Sequence, residues 1–463
     1  MTSRRNTLLA VCLIAALGAS GCSTLGRLNP FDRGDEGPQE TAGEGQRISI
    51  VPADQRLEPA AALQGVEFSL PTPSTIAAWP LPGGTPEQSV DHVDAAPNLQ
   101  IAWRRGFGEG SQRGRYIIAP PVAADGKVFV MDAEGRVSAH DARSGGQLWR
   151  TATNPGDNKR DKLGFGGGIA YADGKLYVTS GFRQVMQIDA NTGAVGWRAK
   201  TSEPVHGAPT VAAGRVMAVA LDNSLLTFET ATGTPSWTYQ ALAESARILR
   251  ASSPAVSGDT VVAAFGSGEL VALRAANGND LWNEALSRAS RTSALSEIRD
   301  IPGRPVIYQG DVFAVSHSGV FAAIDLRTGQ ARWSLPVAGV TSPLPAGDVV
   351  YAVSKAGEVI CASRETGQIY WIRDLNEGFK GKKKGGFLGI GGQRMGRPIW
   401  SGPMLTNNKL ILAGQTGDLA VLNAKTGEVE RRIDLGGPAM LSPIAMGDTI
   451  YVVTDEATLI ALR

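Results

Sequence analysis

From about residue 99 onward, the chain alternates short apolar runs with breaks rich in glycine, asparagine and aspartate. One stretch shows the whole pattern, with apolar runs at 120–123, 127–131, 136–140 and 146–149 and breaks at Asp125-Gly126, Glu134-Gly135 and 141–145. Short apolar runs bounded by such breaks are typical of β-strands joined by tight turns. This stretch therefore predicts a four-stranded antiparallel meander.

The same unit returns along the rest of the chain. Its first strand begins near Pro120, Ile169, Pro209, Pro254, Pro305, Pro343, Pro403 and Pro443. The eighth unit stops at Arg463 without a fourth strand, while an apolar run ending in Trp103 precedes the first unit. Pairing the two ends would complete the last sheet and close a ring. The sequence therefore predicts an all-β fold, an eight-bladed β-propeller of four-stranded antiparallel blades over residues 96–463, closed by its N-terminal strand.

A short motif joins the third and fourth strands of most units. Asp325, Thr328, Gly329 and Trp333 give its spacing, Asp-x-x-Thr-Gly-x-x-x-Trp. Related glycine and tryptophan pairs are Gly145 with Trp149, Gly193 with Trp197, Gly233 with Trp237, Gly278 with Trp282 and Gly367 with Trp371. A tryptophan on the outermost strand can cover the seam to the next blade while its indole N–H donates to a carbonyl. Arg431 occupies this position in the seventh unit, so we expect the weakest seam there.

Composition and charge narrow the function classes. The 57 glycines and the 43% apolar content suit many short strands and tight turns. The 45 Lys and Arg residues nearly balance the 44 Asp and Glu residues, so no global charge attracts the chain to nucleic acid or anionic lipid. Any membrane contact must therefore come from a specific segment.

The N-terminus supplies such a segment. An apolar run from Leu8 to Leu17 follows two arginines and precedes small residues and Cys22, which is the organisation of a secretory signal peptide. Its end resembles a bacterial lipobox, which implies removal of residues 1–21 and lipidation of Cys22. More than one acyl chain makes such an anchor stable. The residue after the cysteine is Ser23 and not the aspartate that the lipoprotein sorting rule associates with retention in the inner membrane, which favours the outer membrane as the destination. The alternative is an ordinary signal peptide in which Cys22 is incidental.

Residues 22–95 are predicted to form a lipidated flexible tether that continues as an extended arm. The first part is rich in Gly, Glu and Pro and cannot bury enough apolar surface to offset its ordering entropy. The later part carries apolar side chains between prolines, and we expect it to lie along the propeller: Val66, Phe68, Leu70, Trp79 and Leu81. The three cysteines give no disulfide framework, and Cys361, in an apolar strand, is predicted to be a buried, inert thiol.

The Asp-x-x-Thr-Gly-x-x-x-Trp repeat resembles the tryptophan-docking repeat of the pyrroloquinoline-quinone-like propellers, over residues 99–463. Two function classes share this repeat. In the quinoprotein alcohol dehydrogenases, a quinone and Ca²⁺ sit in the propeller funnel with a catalytic Asp and a disulfide between adjacent cysteines. The BamB family of outer-membrane β-barrel assembly lipoproteins instead binds no cofactor and acts by contact.

The residues favour the second class. No two cysteines are adjacent, and no cluster of oxygen ligands for Ca²⁺ stands out. The four histidines lack metal-ligand spacing and are predicted to be structural or solvated: His92, His140, His206 and His317. No nucleophile elbow or phosphate loop is present. We therefore predict no catalytic residue, metal or cofactor. The alternatives are a quinone- and Ca²⁺-dependent dehydrogenase and an unrelated envelope scaffold.

The long connections predict the working face. In a propeller, the connection from the outer strand of one blade to the inner strand of the next lies at the same end as each blade's second turn. The long segments fall in this class: 152–165, 242–252, 286–304 and 376–399. Insertions concentrated at one end predict a binding face there.

Two neighbouring connections carry the predicted partner contacts. Leu249 and Arg250 are similar to the end of the Leu-x-Leu-Arg loop through which the BamB family contacts the barrel-forming subunit BamA. Ile298, Arg299 and Asp300 are similar to the family's Leu-x-Asp-Val-Asp stretch. Exposed Leu beside Arg suits an interface anchor, although such loops can also merely cap the blades. The resemblance implies a lipid-anchored scaffold at the periplasmic face of the outer membrane, which docks on BamA and its complex and aids insertion of unfolded β-barrel proteins.

Overall fold

The computed structural model describes residues 57–154, 164–244, 252–287, 298–379 and 396–463. These residues form eight four-stranded sheets and a 3-10 turn at Ala61–Leu63. In chain order the strands are β1 (Ile101–Gly106), β2 (Val122–Ala124), β3 (Lys127–Met131), β4 (Arg136–Asp141), β5 (Gln147–Ala152), β6 (Gly167–Ala172), β7 (Lys175–Ser180), β8 (Gln184–Asp189), β9 (Val195–Lys200), β10 (Thr210–Ala212), β11 (Arg215–Val219), β12 (Ser224–Glu229), β13 (Pro235–Gln240), β14 (Ala255–Ser257), β15 (Thr260–Ala264), β16 (Glu269–Arg274), β17 (Asp280–Ala285), β18 (Val306–Tyr308), β19 (Asp311–Val315), β20 (Phe321–Asp325), β21 (Ala331–Leu335), β22 (Leu344–Ala346), β23 (Val349–Val353), β24 (Glu358–Ser363), β25 (Ile369–Asp374), β26 (Trp400–Thr406), β27 (Lys409–Gly414), β28 (Asp418–Asn423), β29 (Val429–Asp434), β30 (Ile444–Met446), β31 (Thr449–Val453) and β32 (Thr458–Leu462).

Each sheet is an antiparallel meander of consecutive strands. Blades 1 to 7 begin with β2, β6, β10, β14, β18, β22 and β26, which are the inner strands, and end with β5, β9, β13, β17, β21, β25 and β29, which are the outer strands. Blade 8 has the order β1-β32-β31-β30, so its outer strand comes from the N-terminal part of the chain. Gln100 and Arg463 exchange backbone hydrogen bonds of 2.8 and 2.9 Å at this junction. The predicted eight-bladed propeller, closed by the N-terminal strand, is confirmed.

Burial differs between the middle and outer strands of a blade. In β3 and β24 almost every residue is buried, because both faces of these strands pack against neighbouring blades. In β13 and β17 exposed residues alternate with half-buried ones over most of the strand, since only one face contacts the next blade. A continuous apolar run therefore indicates a middle strand of a blade, and an alternating run indicates an outer strand.

The turn between the third and fourth strands explains the repeated motif. The Asp325 carboxylate accepts hydrogen bonds from the backbone N–H of Arg327 and Thr328 and from the Thr328 hydroxyl, at 2.9–3.1 Å. These bonds from Thr328 and Arg327 hold the pKa of Asp325 below its usual value. Gly329 follows with a φ of +74°, a left-handed conformation that glycine adopts without strain.

Tryptophan side chains of the outer strands dock on the glycine of the next blade. Five of their indole N–H groups donate to a carbonyl of that blade: Trp149 to Ala190 (3.0 Å), Trp197 to Thr230 (3.0 Å), Trp237 to Ala275 (3.0 Å), Trp282 to Leu326 (2.7 Å) and Trp333 to Arg364 (2.8 Å). The expected bond is missing at two docks, since the indole nitrogens of Trp103 and Trp371 are buried without a hydrogen-bond partner among the described residues. Both rings still lie against glycines, Gly145 and Gly427.

The arm, residues 57–98, lies on the propeller at the end that carries the first and third turns of each blade, called here the first-turn end. Its backbone or side chains hydrogen-bond to the inner part of every blade, at Ala123, Tyr171, Thr210, Val256, Ile307, Asp348, Leu405 and Gly447. Phe68, Trp79 and Leu81 are buried, whereas Val66 is 48% exposed. The extended arm is thus packed on the ring over most of its length.

Candidate docking face

The second-turn end, opposite the arm, carries the second turn of each blade and the connections between blades. The long connections there join β1 to β2, β5 to β6, β13 to β14, β17 to β18 and β25 to β26. The first and third turns at the opposite end are short. Within the connections, residues 155–163, 245–251, 288–297 and 380–395 lie outside the described residues. The second-turn end is therefore where the chain places its long insertions.

The second turn of blade 4, Ser267 to Glu269, lies between the two connections that carry the predicted contacts. On one side the Glu269 carboxylate accepts the backbone N–H of Leu242 at 2.8 Å. On the other side Gly268 contacts Arg299, whose carbonyl lies 2.9 Å from the position that a Cβ on Gly268 would take. A single turn thus brings the two connections side by side.

Glu269 is the polar anchor of this junction. Its side chain is 8% exposed and also accepts hydrogen bonds from Ser267 (2.7 Å) and Asn283 (3.0 Å). Burial alone would raise its pKa, but the hydrogen bonds from Asn283, Ser267 and Leu242 outweigh it, and the pKa lies below the usual 4.5. The carboxylate is therefore ionised at neutral pH, when it accepts all three bonds.

The segment Ile298 to Asp300 is held by His317, in the second turn of blade 5. The His317 backbone N–H donates to the Asp300 carbonyl at 2.9 Å, and its Nδ1 lies 3.4 Å from the Ile298 carbonyl. Lys355 donates to the His317 carbonyl at 3.1 Å, and its Nζ lies 3.3 Å from Nε2. Burial and the Lys355 charge both lower the pKa of His317, which favours the neutral imidazole.

The described contact residues differ in exposure. Arg299 is exposed and Ile298 is half-exposed, so both are accessible to a partner. The Asp300 side chain is 2% exposed, and the backbone carbonyl of this residue orders the segment. A direct contact of Asp300 with a partner stays a prediction, and the burial of this residue favours a positioning role instead. Cys22, Leu249 and Arg250 lie outside the described residues.

Sequence reasoning did not single out Leu242 as a candidate contact. Its side chain is 68% exposed at the base of the connection that contains Leu249 and Arg250. Tyr116 and Phe379 are further large apolar side chains at the second-turn end, 45% and 36% exposed. An apolar residue just after an outer strand was the available signal, but strand periodicity does not tell whether such a residue turns inward.

The channel of the propeller is closed by the arm. Trp79 exchanges backbone hydrogen bonds of 2.6 and 2.9 Å with Ala123, and the Gln88 amide donates to the Thr210 hydroxyl and the Pro254 carbonyl, both at 3.0 Å. Among the described residues, two cavities of about 40 Å³ each lie in the channel, and Arg304 lines both. Each has room for only a few water molecules.

The residues that the structure describes do not fit a quinone and Ca²⁺. Among the described residues, no group of three or more His, Cys, Asp or Glu side chains is placed to hold a metal ion. Cys361 is fully buried, and burial raises the pKa of its thiol. His92, His140 and His206 are buried within the fold.

None of the helices in the described ranges has the length and hydropathy of a membrane span.

The chain is similar in sequence to proteins named outer membrane protein assembly factor BamB. The protein from Burkholderia pseudomallei is 25% identical over 79% of this chain and 88% of its own length. The protein from Alkalilimnicola ehrlichii is 29% identical, with the same two shares covered.

Solved structures share the fold. The crystal structure of BamB from Moraxella catarrhalis superposes with a TM-score of 0.64 at 17% identity, over 78% of this chain and 99% of that one. A quinohemoprotein alcohol dehydrogenase from Comamonas testosteroni gives 0.62 at 16% identity, over 85% of this chain and 79% of that one. At these identities the two likenesses show the propeller alone and do not separate the two function classes. The family model described as outer membrane protein assembly factor BamB matches residues 87–160, 133–373 and 389–463, which is most of the sequence, and the chain therefore belongs to the BamB family.

Proposed function

We propose that this chain is a non-catalytic scaffold of outer-membrane protein assembly, which aids insertion of β-barrel proteins into the outer membrane. The observation that carries the proposal is the family match across the propeller. The closed channel supports it, because residues 79–90 occupy the end of the ring where a funnel would open. The absence of a metal-ligand cluster among the described side chains agrees with a role by contact.

In this proposal, lipid on Cys22 anchors the chain at the periplasmic face of the outer membrane. The support is the sequence of the N-terminus, where an apolar run ends in small residues and a cysteine. The arm is bound close to its start, where the Ala60 N–H donates to the Ile369 carbonyl at the first-turn end of blade 6. The arm therefore reaches the propeller at the end opposite the proposed docking face.

The proposed partner is BamA with its complex, bound at the second-turn end beside blade 4. Leu242 and Arg299 flank the turn at Gly268, and Leu249 and Arg250 lie in the same connection as Leu242. Exposed apolar surface next to an arginine gives an interface both apolar burial and charge-assisted hydrogen bonds. Asp300 would act through the backbone that orders Arg299.

The test is capture from detergent-solubilised outer membranes by a soluble form that begins at Ser23. Leu242→Glu, Arg299→Glu and Leu249→Glu/Arg250→Glu change the proposed face. Leu148→Glu is the matched control, since Leu148 is 51% exposed on the outer strand β5, close to the first-turn end. Circular dichroism checks that each variant is folded.

We expect the wild type and the Leu148 variant to capture a large β-barrel protein and the other variants to lose it. Equal capture by all variants would place the contact elsewhere and overturn the proposed face, although not the assembly role. If no barrel protein is captured even by the wild type, the assembly role itself is refuted.

A further inference from the structure

The seam between blades 7 and 8 is built differently from the seven seams that carry a docked tryptophan. Arg431 of β29 stands where the tryptophan belongs, and its guanidinium donates to the Asn98 carbonyl at 3.2 Å. Blade 8 offers no motif glycine there, because β32 and β1 belong to the two ends of the propeller and no turn joins them. Blade 8, in which the two ends of the propeller meet, is thus joined to blade 7 without the usual tryptophan dock.

The arm makes a cluster of hydrogen bonds to blade 7 beside this seam. The Val93 N–H donates to the Leu405 carbonyl at 2.9 Å, and the Val93 carbonyl accepts the Asn407 N–H at 3.1 Å. The Ala95 carbonyl accepts the Thr406 hydroxyl at 2.8 Å and the Asn407 amide at 3.0 Å. Residues 93–95 therefore lie beside the end of the inner strand of blade 7, and Val93 pairs with it in parallel.

The same part of the arm also binds blade 8. The Ala96 N–H donates to the Asp448 carbonyl at 2.9 Å, and the Ile76 carbonyl accepts the Gly447 N–H at 2.8 Å. The two arm segments are tied to each other, since the Asp94 N–H donates to the Ser74 carbonyl at 2.8 Å. A continuous chain of backbone hydrogen bonds therefore runs from blade 7 through the arm to blade 8.

Apolar packing follows the same path. Val93, Ala95 and Ala96 are at most 2% exposed. They belong to one apolar cluster with Ile411 of blade 7 and Ile450 of blade 8. The arm thus supplies buried apolar surface near the joint where Arg431 supplies little.

His92 fixes the arm to the first turn of blade 7. Its ring is fully buried, Nδ1 lies 2.6 Å from the Pro71 carbonyl, and Nε2 accepts the Asn408 N–H at 3.0 Å. This pair of bonds requires the tautomer with the proton on Nδ1. Replacement by an apolar side chain would leave the Pro71 carbonyl and the Asn408 N–H without these partners.

We propose that residues 74–76 and 92–98 form a clasp that replaces the tryptophan dock at the blade 7–blade 8 seam and holds blade 7 against blade 8, the blade in which the two ends of the propeller meet. The clasp binds both blades through backbone groups, so it does not depend on a motif glycine in blade 8. Arg431 then contributes only one hydrogen bond to Asn98 at the rim. This inference is independent of the proposed assembly role, because it concerns how blade 7 is held against blade 8.

Native-state amide hydrogen exchange, resolved by segment, tests the clasp in the soluble form that begins at Ser23. The variants His92→Leu and Val93→Ala loosen it, and Arg431→Ala removes the guanidinium bond. Trp282→Ala is the matched control at a docked seam, between blades 4 and 5. We expect both clasp variants to raise exchange in β26, β27, β30 and β31 at least tenfold, with β15, β16, β19 and β20 unchanged, and we expect Trp282→Ala to show the reverse.

Arg431→Ala should change exchange at the blade 7–blade 8 seam less than threefold. A rise in Arg431→Ala as large as in His92→Leu would assign this seam to the arginine and overturn the proposal. Exchange that stays unchanged in both clasp variants, or that rises equally around the ring, would overturn it as well. Val93→Ala removes only side-chain atoms, so it keeps the test decisive if His92→Leu does not fold.

Discussion

The tryptophan dock predicts how the motif glycine tolerates a side chain. Gly329 has a φ of +74°, and a Cβ there would lie 2.6 Å from Cγ and 2.8 Å from Cβ of Trp282. These contacts are too short to persist, and the atoms involved are at the base of the indole, which cannot move away as the tip of a flexible chain could. Gly329→Ala therefore combines backbone strain with overpacking at the seam.

Gly214 provides the matched control. Its φ is +72°, and no atom lies within 4 Å of the position of an added Cβ. Gly214→Ala should therefore lower the free energy of unfolding only by the left-handed strain, about 1–2 kcal/mol. Gly329→Ala adds an overpacking term of about 1–3 kcal/mol, so the difference between the two variants should be about 1–3 kcal/mol.

Urea unfolding followed by circular dichroism measures the loss of unfolding free energy in both variants. A shift of the urea midpoint reports stability only where the dependence of the unfolding free energy on urea is unchanged, so this slope is compared between variants. In a Trp282→Gly background, Gly329→Ala should lose its extra term and cost about as much as Gly214→Ala, since both the Cγ and the Cβ atoms that it strikes are gone. Equal losses for the two glycine variants in the wild-type background would refute the rigid dock. An extra loss that persists without Trp282 would refute the assigned cause.

Three further outcomes follow from the buried groups. In the folded protein the pKa of His317 lies below 6.5, so on lowering the pH the imidazole is protonated in the unfolded chain before it is protonated in the folded one. This residue should therefore lower stability as pH falls below about 6.5. The stability difference between wild type and His317→Asn should accordingly change between pH 7.5 and 5. The pKa of Cys361 is raised by burial, so a thiol reagent should not modify it in native protein but should do so in urea. Asp311 is 5% exposed, burial raises its pKa, and its Oδ1 lies 2.5 Å from Nε of Arg332. Arg332→Met should therefore lower the free energy of unfolding at pH 7 by about 1–3 kcal/mol, because it leaves the buried carboxylate without this partner. The loss should be smaller near pH 4, where protonation of Asp311 removes the buried charge.

The sequence alone determined the ring. The number of blades, the closing strand and the position of the docking tryptophans follow from local rules, because strand alternation and turn chemistry depend on residues close together in the chain. Asp325, Thr328 and Gly329 form their turn through contacts among neighbours, so the motif predicts its own conformation. The choice of the second-turn end for the long insertions also needed only strand order.

Tertiary structure alone decided the route of the arm and the exposure of the candidate contacts. The arm has little periodicity, and Val93 is ordered by Leu405 and Asn407, which are remote in sequence. Asp300 is buried although its motif suggested a surface contact, whereas Leu242 is exposed. The physical reason is common to these cases: whether an apolar or acidic side chain in a connection turns inward depends on the space and hydrogen-bond partners that distant blades offer.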